Sequence, residues 1–254
     1  MTSIQDEAPL TPNPLDSIPQ LTTKTLTSAS DKVAALKLVA DSIAQQRQLA
    51  ANAVIFHPLV VAAYLLILAI TSQFIYKARG EIPVIITTCS GITMALLVGV
   101  RAWVSGYITL AEEFSSSFVE SEDGEQNTII GSRYGEGIIG ALILRMERNG
   151  NGNGNGKKKS KSGKTGGRGL VKAWTTKQKY RGAGVGTELL EEAVRLTREK
   201  LGNSAEIGFA AEHANRKIIL PEMFNKGLRK REARAARALE AVIESTTAGN
   251  KKKR

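Results

Sequence analysis

The stretch that decides the fold is Tyr180-Arg181-Gly182-Ala183-Gly184-Val185-Gly186-Thr187, in which glycine occupies every second position from 182 to 186. Glycine lets the backbone approach a ligand closely. A helix that begins within this stretch presents unpaired amide groups and a partial positive charge. Because Lys177, Lys179 and Arg181 add full positive charges, the stretch predicts a cradle for a phosphate or pyrophosphate group. Glu188 and Glu191 oppose such a role unless their side chains point away.

Two other phosphate-binding motifs fit the glycine turn poorly. A dinucleotide fingerprint needs G-x-G-x-x-G, whereas Gly182, Gly184 and Gly186 alternate strictly and position 187 is Thr. A Walker A loop ending at Thr165 would need its first glycine at position 158, which is Lys. The turn therefore points to a different phosphate-binding family.

Regular elements are predicted on both sides of the turn. Residues 170–175 have the pattern of a strand, and residues 206–211 of a second strand. The helix between them has one apolar face and ends at Gly202; its apolar residues are Leu189, Leu190, Ala193, Val194 and Leu201. Upstream, residues 127–134 and 137–148 predict a β-hairpin. This is a βαβ-like unit, but the pattern leaves open whether its strands are parallel.

The turn and its surroundings resemble motif A of the GCN5-related N-acetyltransferase (GNAT) superfamily. Tyr180 to Gly186 match the family's arginine or glutamine followed by x-x-G-x-G. The resemblance covers residues 127–228 and implies an α/β fold, a GNAT-like mixed sheet with flanking helices. Asn215 falls where the family's motif B asparagine contacts the cofactor.

The resemblance implies acyl-CoA binding, with acetyl-CoA as the co-substrate. It places the backbone of Gly182, Ala183, Gly184, Val185 and Gly186 on the pyrophosphate, beside Arg181 and Thr187. It also pairs the main chain near Trp174 and Thr176 with the pantetheine arm, and adds Asn215.

The catalytic residues are not identified by the sequence. The family's motif B tyrosine is replaced by Glu222 or Met223, and Pro221 interrupts the helix expected there. Glu212 and His213 are weak candidates for a base or a proton relay. His, Cys, Asp and Glu do not cluster at ligand spacing, so we expect no metal.

The N-terminal half predicts attachment to a lipid bilayer. We expect a disordered tail over residues 1–30, an amphipathic helix over 31–52 and a transmembrane hairpin over 53–107 that precedes the GNAT-like domain. At ~1.5 Å per residue, each apolar run of the hairpin is long enough to cross a hydrocarbon core of ~30 Å. The alternative is a buried core hairpin. His57, at the entry to the first run, has a cap or interfacial role as its default interpretation.

The excess of positive charge that gives the chain its formal net charge of +11 lies in the C-terminal half. We expect a flexible basic loop over residues 149–168, and a basic helix and tail over residues 229–254. No aromatic residues interleave with the lysines of the loop, so nucleic-acid binding is not expected, whereas attraction to an anionic leaflet stays open.

The sequence thus supports two function classes. The first is a membrane-anchored N-acetyltransferase that acetylates an amine on a small molecule or a protein, similar in layout to endoplasmic-reticulum N-acetyltransferases. The alternative is a catalytically degenerate GNAT-fold adaptor or chaperone for other membrane proteins. We expect residence in the endoplasmic-reticulum membrane with both termini and the domain in the cytosol, because the chain ends Lys251-Lys252-Lys253-Arg254, which resembles a dilysine retrieval signal.

Overall fold

The computed structural model describes residues 19–79, 81–120, 127–147, 167–211, 213–214 and 219–252, and it contains one five-stranded sheet in the order β1-β2-β3-β4-β5. The strands are Leu21–Thr25 (β1), Asn127–Tyr134 (β2), Gly137–Glu147 (β3), Arg168–Thr176 (β4) and Glu206–Phe209 (β5). Neighbouring strands from β1 to β4 are antiparallel, and β4 and β5 are parallel. The predicted mixed sheet is confirmed, and the orientation that the sequence left open is parallel.

Helices cover both faces of the sheet. They are Ala29–Ile55 (α1), Pro58–Arg79 (α2), Ile82–Trp103 (α3), Gly106–Glu120 (α4), Val185–Leu201 (α5) and Lys226–Lys252 (α6). Successive side chains of a strand point to opposite faces. On β3, Ala141 and Ile143 accordingly pack with α1 and α4, while Leu142 and Leu144 pack with α5 and α6.

The predicted disordered tail over residues 1–30 is wrong at its C-terminal end. Leu21–Thr25 is a strand that pairs with β2, from Leu21 opposite Tyr134 to Thr25 opposite Ile130. Leu26 follows the strand and packs closely on Gly131. A Cβ on Gly131 would lie 2.8 Å from Cδ1 of Leu26. The sequence concealed β1 because β2, the strand it pairs with among the described residues, lies about a hundred residues away. Residues 1–18 of the expected tail lie outside the described residues.

The helix predicted over residues 31–52 is present within α1, and it belongs to the core of the domain. Its buried residues Ala35, Val39 and Ile43 pack against Ile143 and Ala173 of the sheet. Asp31 in its first turn also pairs with Arg133 of β2. The layer that covers one face of the GNAT-like sheet therefore starts before the apolar hairpin.

Two apolar helices, α2 and α3, interrupt that layer between α1 and α4. Residues Pro58–Ala78 have a mean hydropathy of 2.1 and residues Ile82–Glu113 of 1.9, with 0% of each apolar window buried. By length and composition both could span a membrane, and the alternative of a buried core hairpin does not fit their exposure. The hydroxyls of Tyr64 and Thr93, 2.7 Å apart, join the two helices.

The connections to the hairpin are short. Only Phe56 and His57 separate α1 from α2, and only Val104 and Ser105 separate α3 from α4. The amide of Leu59 donates to Nδ1 of His57 over 3.3 Å, so His57 caps the start of α2. The default interpretation of this histidine thus agrees with the structure.

The C-terminal prediction of a helix is met by α6, which is longer than expected. The basic loop predicted over residues 149–168 lies outside the described residues up to position 166, and β4 already begins at Arg168.

Elements before and after the apolar hairpin share one hydrophobic core, and we therefore predict that residues 127–254 do not fold alone. That fragment lacks β1, α1 and α4, so Ile129, Ile138, Ala141, Ile143 and Ala173 would lose their apolar neighbours on one face of the sheet. We expect the fragment to show no cooperative transition on heating, monitored by near-ultraviolet circular dichroism. A chain that starts at residue 19 is the matched control and should unfold cooperatively. A cooperative transition of the fragment would contradict the shared core.

Candidate functional site

The glycine turn connects the end of β4 to the start of α5. A 3-10 turn, Gln178–Tyr180, follows the strand, and Gly184 is the N-cap residue of α5. Gly182 has φ +88° and Gly184 has φ +85°, a backbone region that residues with a Cβ rarely adopt. A Cβ at either position would meet no atom within 4 Å, so the outer side of the turn is open.

The turn leaves backbone donors free. Among the described residues, the amides of Gly182, Gly184, Val185 and Gly186 donate to no protein acceptor, whereas that of Thr187 donates to the carbonyl of Gly184 over 2.8 Å. Free amides at the first turn of a helix bind anions, because they donate hydrogen bonds from the positive end of the helix dipole. The geometry therefore supports the predicted phosphate cradle.

The side chain of Trp174 lies beneath the turn. Its Nε1 donates to the carbonyl of Gly186 over 3.1 Å. A Cβ on Gly186 would lie 3.0 Å from Cζ2 of Trp174, closer than most real Cβ contacts. The third glycine is thus needed for contact between the helix start and β4, while the first two set the backbone conformation.

A β-bulge interrupts the pairing of β4 with β3 just before the turn. Ile143 pairs with Ala173 and Leu144 pairs with Val171, so Lys172 is the extra residue. Bulges bend a strand. Pairing with β5 ends at Val171 opposite Phe209. Beyond that point the amide of Ala214 still donates to the carbonyl of Lys172 over 2.8 Å, but no strand of the described residues pairs with residues 173–176 on the β5 side. We call these residues, which lead to the glycine turn, the divergent edge.

Arg181 lies where helices from both faces of the sheet approach the turn. Its Nε donates to the carbonyl of Thr176 over 3.2 Å, and its Nη2 donates to Oε1 of Gln45 in α1 over 3.0 Å. Partial burial lowers the pKa of Arg181, and the positive charge of Arg231 in α6 lowers it further. Arg181 therefore places a positive charge beside the turn, and the charge of Arg231 acts on the same position.

The acidic residue closest to the turn points away from it. Glu188 accepts a hydrogen bond from Oγ1 of Thr23 in β1 over 3.1 Å, and that hydroxyl also contacts Oγ of Ser132 at 2.8 Å. The carboxylate of Glu188 therefore bonds to β1 and does not oppose anion binding at the turn. Glu191 is exposed.

The structure brings most of the predicted cofactor residues together. Trp174, Thr176 and residues 181–187 lie at one end of β4 and at the start of α5. Asn215 and the catalytic candidate Glu212 lie outside the described residues. His213 packs edge-on to Phe209, with ring centroids 5.2 Å apart, and Phe209 in turn lies 6.1 Å from Trp174. Of the two catalytic candidates, His213 is therefore placed beside the divergent edge.

The segment that replaces the family's tyrosine is a 3-10 helix, Glu222–Phe224, after Pro221. Glu222 accepts two hydrogen bonds of 3.0 Å from Arg229, and these hold the pKa of its carboxyl below the usual range. It is therefore ionised at neutral pH and has no proton to give. The side chain of Met223 has no ionisable group.

The comparisons with known proteins agree with this geometry. Residues 100–219 match the family model described as the acetyltransferase (GNAT) family. The matched stretch, just under half of the chain, resembles a GNAT acetyltransferase domain. The match starts in α3, whereas β1 and α1 of the same core lie upstream of it. No curated protein matches the chain.

Two solved structures are distantly similar to the chain. One is a transcriptional regulator from Bacillus halodurans C-125, with 17% identity, a TM-score of 0.30, and coverage of 41% of this chain and 63% of that one. The chain thus spans less than two thirds of that relative. The other is an integron cassette protein from the mobile metagenome of V. cholerae, with 13% identity, a TM-score of 0.33, and coverage of 77% of each chain. The assignment of the domain rests on the family match and not on these likenesses.

Sequence reasoning missed two residues of the site, Gln45 and Arg231. We predict that Arg231→Glu weakens CoA binding about tenfold, because it replaces a positive charge that acts on Arg181 beside the turn with a carboxylate. Isothermal titration of the detergent-solubilised full chain measures this effect. Arg237→Glu, about 9 Å further along the same helix, is the matched control and should change affinity less than twofold. Equal losses in the two variants would remove Arg231 from the site.

Proposed function

We propose that the chain is a membrane-anchored N-acetyltransferase that moves the acetyl group of acetyl-CoA to a primary amine. The observation that carries this proposal is the cradle of four free amides at the end of the bulged strand β4, with the guanidinium group of Arg181 beside it. Acetyl-CoA supplies the activated acyl group as a thioester. The amine nitrogen attacks the carbonyl carbon, the carbon–sulfur bond breaks, the nitrogen loses a proton and the thiolate gains one.

The residues of the domain divide this work between binding and proton transfer. The amides of residues 182–186 and the two guanidinium groups hold the pyrophosphate. The divergent edge, residues 173–176, accepts the pantetheine arm as an added strand would pair. His213 is the candidate proton relay, because its ring lies against Phe209 at the divergent edge.

The experiment that tests the proposal is a thiol-release assay with the full chain across amino acids, polyamines and peptides. We expect CoA release that depends on the acceptor and falls in Arg181→Glu. His213→Asn should lower turnover without changing CoA affinity, since the role proposed for this side chain is proton transfer and not binding. Tight CoA binding with no release from any acceptor would overturn the enzymatic proposal.

A second function is a degenerate GNAT-fold adaptor or chaperone for other membrane proteins. The 3-10 helix after Pro221 favours it, because the described residues place neither a tyrosine nor a free acid at that segment. This function predicts that a membrane-protein client co-purifies with the full chain and dissociates, or binds more tightly, when CoA is added. If no client co-purifies, or if CoA does not change its binding, this second function is excluded.

We further propose that the hairpin spans the endoplasmic-reticulum membrane with both termini in the cytosol. The two apolar helices and the dilysine-like tail Lys251-Lys252-Lys253-Arg254 support it, as do Lys32, Lys37 and Arg47 before the first span. In Lys251→Ser/Lys252→Ser we expect fluorescence microscopy to show escape from the reticulum. A C-terminal tag should be cleaved by protease in intact microsomes, and a protected tag would reverse the topology.

A further inference from the structure

We propose that the junction between the domain and the hairpin is a second membrane contact, in which Lys226 and Lys230 at the start of α6 bind anionic lipid headgroups. The partner is the anionic leaflet next to the domain. The inference rests on the insertion of the hairpin and goes beyond acetyl transfer.

The start of α6 is fixed to the base of the hairpin by an aromatic cluster. The ring of Phe224 packs edge-on against His57, with centroids 4.9 Å apart, and against Trp103 at 5.9 Å. Phe224 and Leu220 are buried in one apolar cluster with Val54, Val100, Val104 and Tyr107. The amide of Ile219 also donates to the hydroxyl of Tyr107 over 3.3 Å. The segment before α6 is therefore held where the two spans enter the domain.

Large apolar side chains are exposed around this buried cluster. Phe56 is 75% exposed, Met223 50% and Trp103 48%, and all three lie within a few residues of the start of α2, the end of α3 or the start of α6. Exposed apolar groups of this size in an aqueous setting are unfavourable, whereas aromatic residues are enriched at the membrane–water interface. These exposed apolar residues thus lie where the domain meets the membrane–water interface.

Positive charge lies at the same level. Lys226 follows Phe224 by two residues, Lys230 lies one helical turn further, and both side chains are exposed. Arg101 adds an exposed cation in the last turn of α3. The two acidic residues of this region, Glu222 and Glu232, both pair with Arg229, so they do not compensate the lysines. In the part of the chain that the structure describes, neither lysine makes an ion pair.

This combination favours lipid over other anionic partners. A nucleic acid or an acidic peptide would bind the lysines but would not need exposed apolar residues beside two apolar helices. An anionic leaflet uses both, because its headgroups meet the lysines while its acyl region covers Phe56 and Trp103. The attraction falls off within a Debye length of about 8 Å, so cations further along α6 contribute little.

The test measures which lipids surround Trp103 in a bilayer. The chain has two tryptophans, so Trp174→Phe leaves Trp103 as the only indole. The full chain with this substitution is reconstituted into bilayers, and its fluorescence is quenched with brominated phosphatidylserine or brominated phosphatidylcholine. The ratio of the two quenching constants gives the local preference for the anionic lipid.

We expect a several-fold preference for phosphatidylserine that falls to about one in Lys226→Gln/Lys230→Gln, since these two lysines supply the positive charge that attracts the anionic headgroups. The matched control, Lys200→Gln/Arg237→Gln, removes two exposed cations further from the junction and should keep the preference. High salt should reduce it in the unsubstituted chain. Equal quenching by the two lipids, equal effects of the two double variants, or no quenching of Trp103 would each overturn the proposal.

Discussion

Gly184→Asp should lower the affinity of the full chain for CoA by about a hundredfold. A residue with a Cβ pays roughly 1–2 kcal/mol for a left-handed backbone such as the φ of +85° at Gly184. The new carboxylate also lies at the N-terminus of α5, where the proposed pyrophosphate binds, and repels it. Isothermal titration with CoA measures the loss, and thermal unfolding shows that the variant is folded.

Gly202→Asp is the matched control for this substitution. Gly202 also has a positive φ, of +92°, but it lies at the opposite end of α5. The same change of residue should cost at least as much stability, because φ +92° with ψ 160° is a region almost confined to glycine, but should leave CoA affinity within twofold. If Gly184→Asp binds CoA as the unsubstituted chain does, or if both variants lose affinity equally, the cradle is not the cofactor site.

Replacing residues 59–99 by a short glycine-serine linker should move the chain from the membrane fraction to the aqueous fraction and leave CoA affinity within threefold. The hairpin contributes no residue to the two clusters that cover the faces of the sheet. α1 and α4 can therefore keep their packing once the linker closes the gap between them. Membrane fractionation after a high-salt wash, followed by titration with CoA, measures both effects.

The control for this deletion removes residues 149–166, which lie outside the described elements, and should leave the chain in the membrane fraction. Two results would contradict the account. One is an unshortened chain found in the aqueous fraction, which would remove the membrane role of the hairpin. The other is loss of cooperative unfolding on deletion of the hairpin, which would make it part of the core of the domain.

The part of the fold that the sequence predicted is the part whose contacts are local. β2 and β3 are joined by a two-residue turn, and Gly182, Gly184 and Gly186 mark the connection from β4 to α5 directly. β1 was missed because a short threonine-rich segment becomes a strand only when β2 pairs with it. α1 was predicted as a helix, but its place on the sheet depends on Ile143 and Ala173, which follow the hairpin in sequence.

The candidate site likewise has residues that the sequence predicts and residues that only the folded chain brings to it. The residues of the turn carry their signal in their spacing, so residues 181–187 were found together. Gln45 and Arg231 come from helices on opposite faces of the sheet and meet Arg181 only in the folded chain. A basic run such as that of α6 gives no indication of which arginine will face the turn. The turning of Glu188 toward Thr23 likewise depends on β1, which the sequence did not reveal.

Hydrogen exchange of the full chain with and without acetyl-CoA tests whether the glycine turn, residues 182–186, is the cofactor site. If the glycine turn binds the pyrophosphate, exchange at the amides of residues 182–186 slows markedly, and amides of α1 around Gln45 slow to a smaller degree. A second opening, of about 340 Å³, lies between α5, β5 and α6 and is lined by Val194, Thr197, Ile207 and Ile243 among others. Slowed exchange there with no change at residues 182–186 would contradict the account, as would no change anywhere at saturating ligand.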